Sequence, residues 1–215
     1  MPKCRRIHRS LYRPPFSSRR HYVRSTVVEG SQKEMTMKSE FDLDKVIRKI
    51  PNYPKGGILF FDITSILTNP QAFSYCVDRM VEIYEDSKVA AVAGIESRGF
   101  IFSAPLADRL GIPLILVRKA GKLPGETWRQ DYQLEYGMEA VEIHKSDIPR
   151  GKEVLLIDDL IATGGTLSAA KTILEKGGAK VKNVFGVIGL SFLNFQAKLQ
   201  GVRVTTLIDY SNENL

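Results

Sequence analysis

The run from Val154 to Thr166, Val-Leu-Leu-Ile-Asp-Asp-Leu-Ile-Ala-Thr-Gly-Gly-Thr, constrains this chain more than any other segment. Val154 to Ile157 is apolar at every position, which predicts a strand covered on both faces in a parallel sheet. Ligands of such sheets gather beyond the carboxyl ends of the strands. There the sequence sets two adjacent carboxylates, Asp158 and Asp159, and then a small loop of Ala162, Thr163, Gly164, Gly165 and Thr166 where a helical stretch begins. The loop offers backbone amides, two hydroxyls and little bulk, and a helix start favours a phosphate group. The acid pair cannot serve that anion; it wants hydroxyls or a hydrated divalent cation. A sugar diol lying between phosphate and acids meets both needs, so the run predicts a site for a phosphorylated sugar. The plainer alternative is a polar strand end with an N-cap at Thr163. The run lacks both the Gly-Lys-Thr ending of a triphosphate-binding loop and the Gly-x-Gly-x-x-Gly spacing of a dinucleotide fold.

The rest of the chain suits an enzyme with one folded domain. Its 215 residues, 43% hydrophobic, can bury a full core, and no uninterrupted apolar stretch is long enough to span a bilayer. Cys4 and Cys76 make no disulfide framework or metal spacing, which fits a reducing, cytoplasmic setting. His8, His21 and His144 are scattered and support no zinc site or histidine-assisted nucleophile. The net charge of +7 is local: residues 1–36 hold nine of the 31 basic and two of the 24 acidic residues, leaving 22 of each elsewhere. The expected organisation is therefore a basic, disordered arm over 1–36 and a neutral folded domain over 37–215. The arm fits an organelle transit peptide, a basic tail, or an over-extended reading frame with the true start at Met35 or Met37. It shows no helix-turn-helix pattern, so no specific nucleic-acid partner is expected.

From Phe41 onward helices and strands alternate, the pattern of an α/β fold. Phe41, Val46, Ile47 and Ile50 predict a short helix ending before Pro51. A Pro/Gly-rich turn leads into a strand over 58–61. Helices are predicted over 71–86, 99–110 and 166–176, and strands over 88–95, 113–117, 184–190 and 202–208. Residues 119–132 show no clear periodicity, and 140–144 alternate like an exposed strand.

The hydrophobic strand, acid pair and Thr-Gly-Gly-Thr loop resemble the signature of the type I phosphoribosyltransferases. The fold implied is a central, mostly parallel sheet flanked by helices, with a small hood and a flexible lid loop. Four further segments are similar to one branch, the adenine phosphoribosyltransferases, and the resemblance runs from about residue 41 to the C-terminus. Pro54 to Thr64 resembles the base-binding segment, which implies that Leu59, Phe60 and Phe61 hold adenine with Leu160 flanking the ring from the other side. The family pattern implies arginine where Phe61 stands. Gly94 to Phe100 resembles the pyrophosphate loop, assigning Ser97 and Arg98 to pyrophosphate and implying a cis peptide between Glu96 and Ser97. Val117 to Glu126 resembles the cationic start of the lid, whose Arg118, Lys119 and Lys122 would neutralise the leaving group. Leu134-Glu135-Tyr136-Gly137 resembles the element whose glutamate handles the purine proton, which makes Glu135 the candidate acid/base, with Glu126 a competitor. By the same resemblance, Asp158 and Asp159 hold the ribose hydroxyls and the shell of a Mg2+ ion carried by phosphoribosyl pyrophosphate, and residues 162–166 hold the 5-phosphate. A homodimer is the family expectation. Two other readings stay open: a non-catalytic regulator that senses the same ligand, and a phosphoribosyltransferase for another purine.

Overall fold

The run from Glu153 to Ile161 is a strand at the centre of a seven-stranded sheet, and its apolar half faces two separate cores. A computed structural model describes residues 41–134 and 137–212. Its elements are β1 (Arg48–Pro51), β2 (Leu59–Asp62), α1 (Thr64–Leu67), α2 (Pro70–Tyr84), β3 (Val89–Ile95), α3 (Gly99–Leu110), β4 (Leu114–Lys119), β5 (Thr127–Leu134), β6 (Gly137–His144), β7 (Glu153–Ile161), α4 (Gly165–Lys176), β8 (Lys180–Leu190) and β9 (Arg203–Tyr210). The main sheet runs β5-β6-β4-β3-β7-β8-β9. Strands β4, β3, β7, β8 and β9 are parallel, and the β5–β6 hairpin extends the β4 edge antiparallel. The expected mostly parallel, helix-flanked sheet is the fold observed.

Side-chain alternation in β7 explains why it is apolar throughout. Leu155 and Ile157 enter one core with Phe102 and Leu106 of α3 and Met80 of α2. Val154 and Leu156 enter the other with Leu167, Ile173 and Leu174 of α4. Asn69 caps α2, its side chain accepting from the amides of Gln71 and Ala72, and Pro70 opens the helix. Gly111, in a left-handed conformation, closes α3. Cys76 lies buried in α2, its thiol pushed up to about 12 by burial. No helix among the described residues is long and apolar enough to cross a membrane.

Four local expectations are corrected. Residues 41–50 do not form a helix: Leu43 and Ile47 share one buried turn, and Arg48–Pro51 then pairs antiparallel with β2, forming a separate two-stranded sheet. The expected hood is this small sheet. Residues 119–132 are not structureless, because Thr127–Leu134 is a strand. Ala140 to Ile143 are buried rather than exposed, since β6 is covered by both neighbouring strands and the core beneath. Asp158 and Asp159 do not lie past the strand end; β7 continues through them to Ile161.

Candidate active site

A cleft of about 460 Å³ opens at the carboxyl ends of β3, β4 and β7. It is lined by Ser97 and Arg98 from the turn after β3, Lys119 from the end of β4, Asp158, Asp159 and Leu160 from β7, Ala162 from the loop that follows, and Thr166 from the first turn of α4. Eight residues expected from sequence thus meet in one cleft, of a size typical for a small-molecule site.

The loop after β7 is shaped by glycine. Gly164 is the N-cap of α4 with φ of 73°, and a Cβ there would come within 3.2 Å of the Phe195 carbonyl oxygen. No side chain caps the helix, so its first amides keep their hydrogen-bonding capacity for a ligand anion. The N-cap is therefore Gly164 and not Thr163. Gly99 performs a similar service for the acid pair, because a Cβ there would lie 3.1 Å from Oδ1 of Asp158. Its absence lets α3 start flush against β7.

Charges in the cleft are paired across elements. Nε of Arg98 donates to Oδ2 of Asp159, a carboxylate only 4% exposed, while half of the Arg98 side chain remains open. Burial lowers the Arg98 pKa, but the contact with Asp159 outweighs it and the guanidinium is raised above its ordinary value. Asp158 accepts the backbone amide of Asp159 at 2.9 Å. Its carboxyl is pushed well above the usual range, first by burial and then by the charge of Asp159, although one edge faces the cleft. The Glu96–Ser97 peptide is cis, as the resemblance implies.

Glu96 organises the cationic side. Its carboxylate takes Nε and Nη2 of Arg118 at 3.3 and 3.2 Å and the amide of Lys119 at 2.9 Å, and these partners hold it below the usual carboxylate range. Lys119 extends into the cleft and meets Oε1 of Glu139 at 3.3 Å. The Tyr132 hydroxyl donates to the other oxygen of Glu139 at 3.0 Å. The sequence marks Glu96 within the pyrophosphate-loop segment but not as the partner of Arg118 and Lys119, and it does not mark Tyr132 or Glu139 as site residues. Tyr132 could have been anticipated, because Trp128, Gln130 and Tyr132 alternate with exposed Arg129, Asp131 and Gln133, the two-residue period of a strand.

Several expected residues do not line the cleft. Arg118 is engaged with Glu96, and Lys122 is exposed with its backbone amide bound to Glu142. Thr163 and the N-cap Gly164 precede α4 and Gly165 is its first residue, and none of the three lines the cleft. Leu59 and Phe60 belong to the hood strand, the latter packing edge-on against Tyr53 at 5.1 Å. Phe61 is buried at 4% exposure and stacked on Tyr210, so its side chain is core. Glu135 lies outside the described residues, as does the arm with Cys4, His8 and His21.

An acid pair, a bare helix start and a row of cations at the strand ends define a type I phosphoribosyltransferase by fold and site. Residues 62–192 match the family described as Phosphoribosyl transferase domain. The adenine phosphoribosyltransferase of Treponema denticola is 60% identical over 173 residues, covering 80% of this chain and 91% of its own length. The crystal structure of adenine phosphoribosyltransferase from Thermoanaerobacter pseudethanolicus superposes with a TM-score of 0.74 at 42% identity, covering 78% of this chain and 97% of that one. The Saccharomyces cerevisiae enzyme, complexed with an imino-altritol bisphosphate and adenine, superposes with a TM-score of 0.72 at 40% identity over 77% and 96% of the two chains. The chain belongs to the adenine phosphoribosyltransferase family.

Proposed function

We propose that this protein transfers the 5-phosphoribosyl group of phosphoribosyl pyrophosphate to adenine, giving AMP and pyrophosphate, a purine salvage reaction. The observation that carries the reading is the convergence of Asp158, Asp159 and the uncapped start of α4 opposite Arg98 and Lys119 in one cleft. The amides of 162–166 and the hydroxyls of Thr163 and Thr166 receive the 5-phosphate. Asp158 and Asp159 receive the ribose hydroxyls. Ser97, Arg98 and Lys119 face the pyrophosphate, with Arg118 and Lys122 behind them on the lid's base. Departure of pyrophosphate leaves positive charge on the sugar and puts negative charge on the leaving oxygens, so fixed cations and exclusion of water favour the step.

Mg2+ fits this donor set. Among the described residues no cluster of three or more histidine, cysteine or acidic side chains could hold a metal by itself. Two hard carboxylates at the cleft therefore suit an ion whose remaining ligands are substrate oxygens and water. When bound it would offset charge on the pyrophosphate.

Adenine would be read by the backbone of 59–61 and held between Leu59 or Phe60 and Leu160, with Glu135 handling the purine proton. Phe61 acts there through its backbone, since its ring is buried. The β5–β6 hairpin is the lid. We further assign residues 37–215 as the catalytic domain, 1–36 as a separate basic arm, and the working form as a cytoplasmic homodimer. The test is to supply purified protein with Mg2+, phosphoribosyl pyrophosphate and each purine base in turn, following nucleotide and pyrophosphate. Adenine alone should turn over; preference for hypoxanthine, guanine or xanthine overturns the assignment, and binding without turnover favours a sensor.

A further inference from the structure

Strand β2, which carries the base-binding segment, shares no hydrogen-bond ladder with the main sheet. Besides apolar packing and the chain's passage into α1, one side chain from the far edge of the main sheet ties the hood down. Tyr210, the last residue of edge strand β9, stacks its ring on Phe61 at 4.2 Å between centroids and 30° between planes. Its hydroxyl donates to Oδ1 of Asp44, 166 residues away in sequence. The same carboxylate takes the amine of Lys49 at 2.8 Å, and that amine lies 5.4 Å from the Tyr210 ring centre. The turn before β1, β1 itself and β2 are thus each touched by Tyr210. Its own position is set in turn by the parallel ladder of β9 with β8, where Tyr210 lies opposite Leu190.

We propose that Tyr210 is a positioning residue for adenine: by clamping Phe61 and Asp44 it sets the seat of β2 and hence the grip of Leu59 and Phe60 on the base. The inference rests on the reading that 59–61 contacts adenine. Leu59 lies on the same face of β2 as Phe61, and both pack in the core that includes Leu160. A shift of Phe61 therefore moves Leu59 with it. The ribose and phosphate groups bind to β7 and α4, which the clamp does not touch.

The experiment compares wild type with Tyr210→Phe, Asp44→Asn and Tyr210→Leu, varying adenine and phosphoribosyl pyrophosphate separately. Tyr210→Phe and Asp44→Asn keep the ring stack and lose the charged hydrogen bond, so each should raise KM for adenine about threefold to tenfold. Tyr210→Leu loses both contacts and should raise it more than about tenfold, with kcat and KM for phosphoribosyl pyrophosphate within about twofold of wild type. Unchanged KM for adenine in the Phe and Asn variants overturns the clamp even where the Leu variant fails to fold. Parallel rises in both KM values also overturn it, because a purely structural role would affect both substrates. Wild type that uses no adenine overturns the site reading and this inference together, whereas normal adenine use with unaffected variants overturns only the inference.

Discussion

The Nε of Arg98 is seated against the carboxylate of Asp159, so a cation of the turn after β3 neutralises an almost fully enclosed acid of β7. Removing the cation strands the acid. Arg98→Met should destabilise the fold by about 2 kcal/mol, below the roughly 3 to 5 kcal/mol of fully buried pairs because half of Arg98 is exposed. Adding Asp159→Asn should restore part of that loss. Urea denaturation of the two single variants and the double variant checks this, and strict additivity would refute the coupling.

Asp158 should display a conflict between stability and function. Its folded-state pKa lies above the unfolded value, so its contribution to stability is present in acid and is lost as pH rises through the folded value. At neutral and alkaline pH the ionised, half-buried carboxylate beside Asp159 is a burden. Asp158→Asn should accordingly raise Tm there, with the gain vanishing in acid, while weakening phosphoribosyl pyrophosphate binding about 10- to 100-fold. Melting curves across pH together with calorimetric titration measure both effects.

Glu142 behaves in the opposite way. Burial acts to raise its pKa, but the amides at Leu123, Gly121 and Lys122 outweigh that, and the carboxyl is held below its usual range. Its stabilisation is present above the unfolded pKa and disappears as pH falls through the folded one. Glu142→Gln should cost about 1 to 3 kcal/mol at neutral pH, with the gap closing in acid. A constant difference in Tm from neutral to acid pH would contradict this.

The chain has a single tryptophan, Trp128, at the base of the lid hairpin, and amines of Lys145 and Lys176 lie 5.1 and 4.7 Å from its ring centre. Intrinsic fluorescence is therefore a specific reporter of the hairpin's seat on α4. Adding Mg2+ with phosphoribosyl pyrophosphate should change the emission, and Lys176→Met should shift the ligand-free spectrum. An emission identical with and without ligand would argue that the hairpin base stays fixed.

Glu135→Gln keeps size and hydrogen-bonding reach but removes the titrating group. The kcat should fall roughly 10²- to 10⁴-fold, with a modest change in KM for phosphoribosyl pyrophosphate. Single-turnover rates are the measurement, since slow product release could hide the chemical step; a near-normal rate transfers the role to Glu126 or water.

What the sequence disclosed was governed by local periodicity. The double-faced strand at 154–157, the helix bounded by Gly99 and Gly111 and the acid pair followed by Thr-Gly-Gly-Thr are each complete within a dozen residues, and each appears in the structure. What stayed hidden depends on partners far along the chain. Arg48–Pro51 is a strand because β2 pairs with it, although Leu43 and Ile47 have helical spacing. The Thr127–Leu134 strand carries few apolar residues because its inward positions mix aromatic and amide side chains. Phe61 could be read as a ligand contact or as core, and only the approach of Tyr210 from the end of β9 decides for core. The pairing of Glu96 gave no signal of its own, because its partners Arg118 and Lys119 come from a different strand.

The β5–β6 hairpin is stitched to β4 by the pairs Arg118 with Glu142 and Lys119 with Val141, near the base of β6, while β5 and β6 pair with each other from Thr127–His144 to Leu134–Gly137. The hairpin's ladder to the main sheet thus consists of two rungs. A change at this seam would loosen the sheet edge and misplace Lys119 in the same stroke, so that the hairpin's attachment and the charge of the cleft rest on a single ladder.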